Sequence, residues 1–451
     1  MGEGIENKNN QEEINLEFYE ICNELSNIAN TKINYMEYIS ALLYIKYSYT
    51  EHKEKIFQDD YFLTEGKEWL ANVIDDELEQ IRQNENRRKL FSNIKFRDII
   101  NTKNRYKLTN TISRLKKLIM EIEKKEINSK KIIAEAYRYA IMREANNNEL
   151  KFGNGEFYTP KGLVKTMINL LDIEKQGTIY DPACGSGNFL VEACKKNKVA
   201  VVGEEEDISG YNICMTNMLL NDIKNYNIVS ENIYQDNHEK YNYIVTNPPF
   251  SGQNDMKEWN EENAYKYNIT KSSKIYTKFL VNMIEKLEED GTMAIILPHG
   301  ILFRETERYL REKLVRDNII EAIIGLPENL FPGTRISVIV LVIKKNRKNS
   351  GILFIDASNE FISKRKNNIL TVENQDKIIK TYKNYEVIDN YSYVADEKEI
   401  EANEYNLSIK KYVKPKEEKE LINKEEITEQ IDNLEGELIE IQKQIRELLN
   451  E

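Results

Sequence analysis

The sequence predicts an α/β fold: a doubly wound, mostly parallel sheet, with an N-terminal all-helical domain and a C-terminal coiled-coil helix. Three observations carry this. Short apolar, β-branched runs alternate with helical patterns between about residues 150 and 357, the first 150 residues show helical spacing with few glycines or prolines, and the last 36 carry a heptad repeat. The expected organisation is residues 1–150 helical, 151–360 sheet domain, 361–415 C-terminal extension and 416–451 coiled-coil helix.

Helical spacing in the first region is set by Phe18, Ile21, Leu25 and Ile28, and again by Ile112, Leu115, Leu118, Ile119 and Ile122. This region is read as a packing module without chemistry of its own. Strands are expected at 178–181, 198–203, 241–246, 291–298, 319–326, 336–343 and 351–357, with helices near 161–172, 187–197, 208–222, 273–289 and 304–317. Near-continuous apolar strands imply a sheet covered on both faces, and the closely spaced last strands are compatible with an antiparallel pair. Such a sheet binds its ligand beyond the carboxyl ends of the strands, where strand order reverses.

In the tail, Ile427, Ile431, Leu434, Leu438, Ile441, Ile445 and Leu448 are spaced alternately by four and three residues. A single amphipathic helix docked on its own domain would show the same seam. Pairing with another chain is the reading adopted, because polar residues fill most of the other positions.

The 451-residue chain has a formal charge of −12, which argues against a free-standing nucleic-acid binder. Residues 416–451, however, hold 5 bases and 12 acids, so the tail carries −7 of that charge and the body is nearly balanced. The polar N-terminus lacks a signal-peptide pattern and no apolar run reaches spanning length, so a cytoplasmic, non-membrane protein is expected. Cys22, Cys184, Cys194 and Cys214 form no C-x-x-C pair, and with three histidines neither a disulfide framework nor a zinc site is expected.

The first expected strand runs into Asp181-Pro182-Ala183-Cys184-Gly185-Ser186-Gly187-Asn188. Gly185 and Gly187 allow a sharp turn and close ligand approach. The loop matches neither a dinucleotide fingerprint nor a Walker A loop. Glu205 follows the next strand, where a carboxylate can accept from both hydroxyls of a ribose. A glycine turn with a ribose carboxylate suits a nucleoside without phosphates, although either piece alone reads equally as a structural turn. Asn247-Pro248-Pro249-Phe250 comes 66 residues after Asp181 and directly after an apolar strand. The Asn247 amide oxygen and the Pro248 carbonyl can both accept from one planar amino group, and Phe250 offers a face for a heteroaromatic base.

The pairing of D-P-x-x-G-S-G with N-P-P-F resembles the S-adenosylmethionine-dependent methyltransferases that act on N6 of adenine in DNA. Glu156-Phe157-Tyr158-Thr159-Pro160-Lys161 resembles their further cofactor-binding element, and its place before the glycine loop matches the gamma order of motifs. More specifically, the chain is similar to modification (M) subunits of type I restriction-modification systems. That resemblance extends over most of the chain: the helical region, the sheet domain, 326–345, 352–358 and 404–413. It departs at Asn188, where a second glycine is commoner in the family; tolerance of left-handed backbone by Asn is expected to preserve the loop.

The resemblance implies cofactor contacts from Glu156 through Lys161, from Asp181 and Gly185, from Ser186, Gly187 and Asn188, and from Glu205 through the ribose. Glu231 occupies loosely the place of a residue contacting the cofactor's adenine, and reads equally as an ordinary loop carboxylate. Asn247, Pro248, Pro249 and Phe250 would hold a flipped adenine, without a metal. Implied partners are double-stranded DNA, a specificity (S) subunit carrying two M chains, and a separate restriction (R) subunit. N-P-P also suits RNA-base or protein-glutamine methyltransferases, and a non-catalytic scaffold is the other class of reading. His299 reads as structural or as lining the cleft, and 251–272 as a polar loop beside the site or a passive insertion.

Overall fold

A computed structural model describes residues 2–26, 35–48, 68–99, 105–126, 128–146, 158–173, 176–196, 198–230, 239–250, 261–270, 272–331, 336–364, 367–414, 434, 438, 441 and 442. The N-terminal region is helical throughout its described part, chiefly α1 (Gly2–Ser26), α2 (Tyr35–Tyr47), α3 (Glu68–Arg82), α4 (Arg105–Lys125) and α5 (Ser129–Asn146). Helices α6 (Lys161–Leu170), α7 (Asn188–Lys196), α8 (Ile208–Leu220), α9 (Ile275–Lys286), α10 (Arg308–Arg316) and α11 (Val372–Asn384) flank the sheet.

The sheet contains β1 (Thr178–Asp181), β2 (Ala200–Glu204), β3 (Tyr226–Val229), β4 (Tyr241–Thr246), β5 (Leu287–Pro298), β6 (Ile320–Gly325), β7 (Val338–Lys344) and β8 (Ile352–Asp356). A short hairpin, β9 (Ile362–Ser363) with β10 (Asn368–Ile369), lies outside it, and β11 (Ser392–Ala395) closes one edge. The nine-strand order is β11-β8-β6-β7-β5-β4-β1-β2-β3. Strands β3, β2, β1, β4 and β5 run parallel; β7 lies antiparallel between β5 and β6, and β11 antiparallel to β8.

The pleat of β7 explains its continuous apolar sequence. Val338, Val340 and Val342 enter the core shared with α1 to α8 and α11, whereas Ile339, Leu341 and Ile343 enter the opposite core under α9 and α10. The helical region therefore shares one apolar core with a face of the sheet. A buried polar cluster reinforces that join: Glu37 on α2 accepts from Asn93 Nδ2 at 2.6 Å and from Asn212 Nδ2 on α8 at 2.8 Å. Asn212 Oδ1 accepts from the Phe91 N–H at 2.8 Å. Burial raises the Glu37 pKa, and the donors from Ser209, Asn93 and Asn212 oppose that rise.

The described residues between 361 and 414 belong to the same body. β11 extends the sheet, α11 packs on α6, and Leu407, Ile409 and Tyr412 are buried in the α9 and α10 core. Of the tail seam, Leu434, Leu438 and Ile441 are described; they are helical and more than half exposed. The rest of that seam lies outside the described residues. Among the described residues, no helix is long and apolar enough to cross a membrane.

Candidate active site

From β1 the chain leads outward to β2 and then β3, and it returns on the other side as β4, so strand order reverses between β1 and β4. Asp181 ends β1, Asn247 follows β4, and Glu205 follows β2. The topology thus gathers three separated sequence segments at one end of the sheet.

The loop between β1 and α7 needs its glycines for two different reasons. Gly185 has φ +49° and Gly187 φ +74°, a region costly for other L-residues. A Cβ on Gly187 would also lie 2.7 Å from Cys214 Sγ and 2.8 Å from Met218 Cε, whereas one on Gly185 would meet nothing within 4 Å. Packing against α8 therefore demands Gly187, while Gly185 faces open space. Asn217 Nδ2 on α8 donates to the Ser186 carbonyl at 2.9 Å and fixes the loop from below. Asn188 needs no left-handed backbone; it starts α7, and its Nδ2 donates to Ser186 Oγ at 2.8 Å.

Two buried carboxylates border this loop. Glu205 is 3% exposed; its Oε2 accepts from the Gly185 N–H at 2.7 Å and its Oε1 from the Asp207 N–H at 2.8 Å. Burial pushes its pKa up to about 7 against the pull of these two donors. Glu204 turns the other way and accepts from the Tyr180 hydroxyl at 2.7 Å, as alternation along a strand requires. Asp181 is fully buried, and its Oδ1 accepts from the Ala183 N–H at 3.2 Å. Its Oδ2 has no hydrogen-bond partner among the described residues. Burial pushes this carboxyl up to about 7 as well, with the nearby Thr246 hydroxyl and the Ala183 N–H lowering it in part.

After β4, Asn247 is half-buried, Pro248 buried, and Pro249 and Phe250 half-buried, with Phe250 against the edge of the core. Asn247 Nδ2 donates to Thr159 Oγ1 at 3.1 Å. The segment bearing Thr159 is pinned on both sides. Tyr158 is buried, with its hydroxyl beside Asn188 and Arg138, and Pro160 leads into α6 at Lys161. Lys161 Nζ lies 3.4 Å from Glu135 Oε2, which also pairs with Arg138. Although burial opposes it, these cations bring the Glu135 pKa down to about 2. Glu156, Phe157 and Glu231 lie outside the described residues.

Sequence reasoning did not find Glu135 and Arg138, which reach the neighbourhood of the glycine loop from α5 in the helical region, nor Asn217. Their only sequence signal is polarity within apolar helices, which does not say what they touch. His299 sits just past β5, with burial first and Lys410 second lowering its pKa against Asp356. Part of 251–272 is not loop: Glu261–Lys266 is a short helix, and Tyr267 and Ile269 anchor its end in the core.

This sheet order, with β7 reversed between β5 and β6, defines a class I methyltransferase fold. A protein described as a class I S-adenosylmethionine-dependent methyltransferase from Listeria monocytogenes matches 83% of this chain and 99% of its own with TM-score 0.55 and 15% identity, a likeness of fold. The family model of N-6 DNA methylases matches residues 128–421, and the chain belongs to that family. It is 32% identical over 373 residues to the type I restriction enzyme MpnII methylase subunit of Mycoplasma pneumoniae, covering 75% of this chain and 67% of the relative. The MjaVII methylase subunit of Methanocaldococcus jannaschii is also 32% identical, over 71% of this chain, but the chain spans only 58% of that relative's length. Among solved structures, the type I restriction-modification methyltransferase subunit of Streptococcus thermophilus matches 90% of this chain and 100% of its own, with TM-score 0.73 and 26% identity.

Proposed function

We propose that the chain transfers a methyl group from S-adenosylmethionine to N6 of an adenine flipped out of double-stranded DNA, as the modification subunit of a type I restriction-modification complex. The observation that carries this reading is the meeting of the glycine loop, the carboxylates Asp181 and Glu205, and Asn247-Pro248-Pro249-Phe250 where strand order reverses between β1 and β4.

The residues fit the cofactor. Gly185 faces open space, Glu205 keeps lone pairs beyond its two backbone bonds for ribose hydroxyls, and the buried Asp181 Oδ2 can take a donor. Tyr158, Thr159, Pro160 and Lys161, with Glu156 and Phe157 before them, would lie along its amino-acid end, and Glu231 near its adenine. When bound, S-adenosylmethionine supplies an electrophilic methyl on a sulfonium.

The chain's own part is binding and orientation. Asn247 Oδ1 and the Pro248 carbonyl accept the two amino hydrogens of the target, drawing N6 toward tetrahedral geometry and leaving its lone pair as nucleophile. Phe250 stacks on the base, and Pro249 stiffens the turn that holds it. Asn247 has no useful basicity, so catalysis rests on position and local electrostatics.

The near-neutral body and the exposed Leu434, Leu438 and Ile441 suit assembly with a specificity subunit, two chains of this protein to one, in the cytoplasm, with cleavage left to a separate restriction subunit. Sequencing host DNA for methylated adenine with and without this gene tests the reading. Loss of N6-methyladenine at one recurring sequence supports it, and identical patterns refute it.

A further inference from the structure

We infer that the hairpin of β9 and β10 is a contact surface for the phosphodiester backbone of the DNA duplex, made through Lys364. The inference rests on the proposed DNA substrate and adds a contact outside the pocket that would hold the target base. Strands of two residues each are too short to hold themselves together. The carboxyl end of the sheet holds them instead. The Asn368 N–H donates to the Asn329 carbonyl at 2.8 Å, and Asn368 Nδ2 donates to the Glu328 carbonyl at 2.8 Å, both in the segment that leaves β6. Strand β6 is parallel to β8 and, through two reversals at β7, to β5 and β4, so its end lies on the rim where Asn247 follows β4. Beyond the hairpin, the Leu370 carbonyl passes within 2.9 Å of where a Cβ on Gly162 would stand. Gly162 is in the first turn of α6, the helix entered from Thr159 and Pro160. The hairpin therefore stands on the same rim as the candidate site, against the helix that borders it.

Its charge runs against that of the chain. Residues 361–371 hold three bases, Lys364, Arg365 and Lys366, and no acid, in a chain of formal charge −12. Arg365 and Lys366 lie outside the described residues. Lys364 is exposed, its backbone N–H donates to the Asn367 carbonyl at 3.2 Å, and among the described residues its ammonium makes no ion pair. The preceding acid, Glu360, is taken up by Lys377 and by Asn374 Nδ2 at 2.9 Å. Beside Lys364 the cross-strand pair Ile362 and Ile369 is exposed. Exposed isoleucines alone suit a protein, but uncompensated positive charge next to them selects a polyanion. A nucleic-acid backbone, with apolar sugar faces between its phosphates, matches both features. Such a contact positions the duplex without reading its sequence.

The test uses the complex that carries this chain, titrated with a methylated-site duplex and an unrelated duplex between about 50 and 200 mM salt. Lys364→Ala is expected to raise the Kd of both duplexes about three- to tenfold at the low-salt end, and to reduce the slope of log Kd against log salt by about one. Lys364→Glu should weaken both further. The kcat at saturating DNA and the calorimetric Kd for S-adenosylmethionine should stay at their wild-type values, the latter also reporting correct folding. Lys348→Ala removes an exposed lysine beyond the end of β7, at the opposite end of the sheet, and should change neither Kd nor slope. Wild-type binding in both Lys364 variants overturns the inference, and so does an equal loss in Lys348→Ala. Impaired subunit assembly in sedimentation, with unaltered DNA affinity in the complex that does form, would make the hairpin a protein contact and overturn it too. A wild-type complex that binds no duplex overturns the proposed function, whereas one that methylates adenine while the Lys364 variants bind like it overturns this contact alone.

Discussion

Glu205 Oε2 accepts from the Gly185 N–H at 2.7 Å, so the carboxylate after β2 holds the glycine loop after β1. One side chain thus shapes the loop and presents lone pairs to a ligand. Glu205→Ala is expected to weaken S-adenosylmethionine binding about 10- to 100-fold, the worth of hydrogen bonds to a charged group. Glu205→Gln should recover little, because its NH2 would face a backbone N–H of Gly185 or Asp207. Calorimetry checks both.

The pKa values of Asp181 and Glu205, raised from ordinary values of 3.8 and 4.5 to about 7, set a pH dependence. A carboxyl whose folded pKa is raised stabilises the fold fully below its unfolded pKa and loses that contribution as pH climbs to the folded pKa. The ligand-free protein should therefore lose stability between about pH 4 and 7 from these two groups. Ligand donors favour the ionised forms, so cofactor affinity should rise between pH 6 and 8 and then level. A Kd flat across that range would contradict this.

Gly185→Ala and Gly187→Ala should differ. At Gly185 only the φ of +49° opposes a side chain, so the melting temperature should fall by the few degrees that about 1 kcal/mol produces, while cofactor affinity falls further because the methyl fills open space. At Gly187 the methyl meets Cys214 and Met218 at under 3 Å, so stability and binding should fall together. Paired thermal scans and titrations separate the cases.

Asn247→Ala should abolish methyl transfer and leave cofactor affinity largely intact, because the residue lies after β4 and not on the glycine loop. Measurable turnover in this variant would remove Asn247 from the proposed role.

Arg347 is 1% exposed in its side chain and pairs with Glu321 on β6 at 2.6 Å, while also donating to the Tyr385 hydroxyl at 3.0 Å. Arg347→Ala leaves Glu321 buried without its cation and should cost about 3 to 5 kcal/mol. Urea unfolding measures it.

Much of the sheet was legible because buried strands are written as apolar runs: 178–181 and 241–246 coincide with β1 and β4. The sequence reading passed over β3 and β11, which are four-residue edge strands with half-buried or exposed positions and so lack such runs. The place of β7 between β5 and β6 is a matter of pairing partners, which no local pattern encodes. In the site, the glycine loop was readable because left-handed backbone demands glycine. The contact of Asn247 with Thr159, and the approach of Arg138 to Tyr158, join distant segments through tertiary packing and leave no periodic trace. Residues 261–270 misled through polarity, since two buried side chains, Tyr267 and Ile269, anchor them.

The apolar core common to the N-terminal helices and the near face of the sheet, with Glu37 and Asn212 buried at the join, ties the described parts of the two regions together. Swinging the helices away would strip a carboxylate and its donors of their partners and expose apolar surface on both sides. The two regions are therefore expected to melt in one transition, and a ligand that tightens the loop between β1 and α7 is expected to slow hydrogen exchange in α2 as well, which exchange measured with and without the ligand checks.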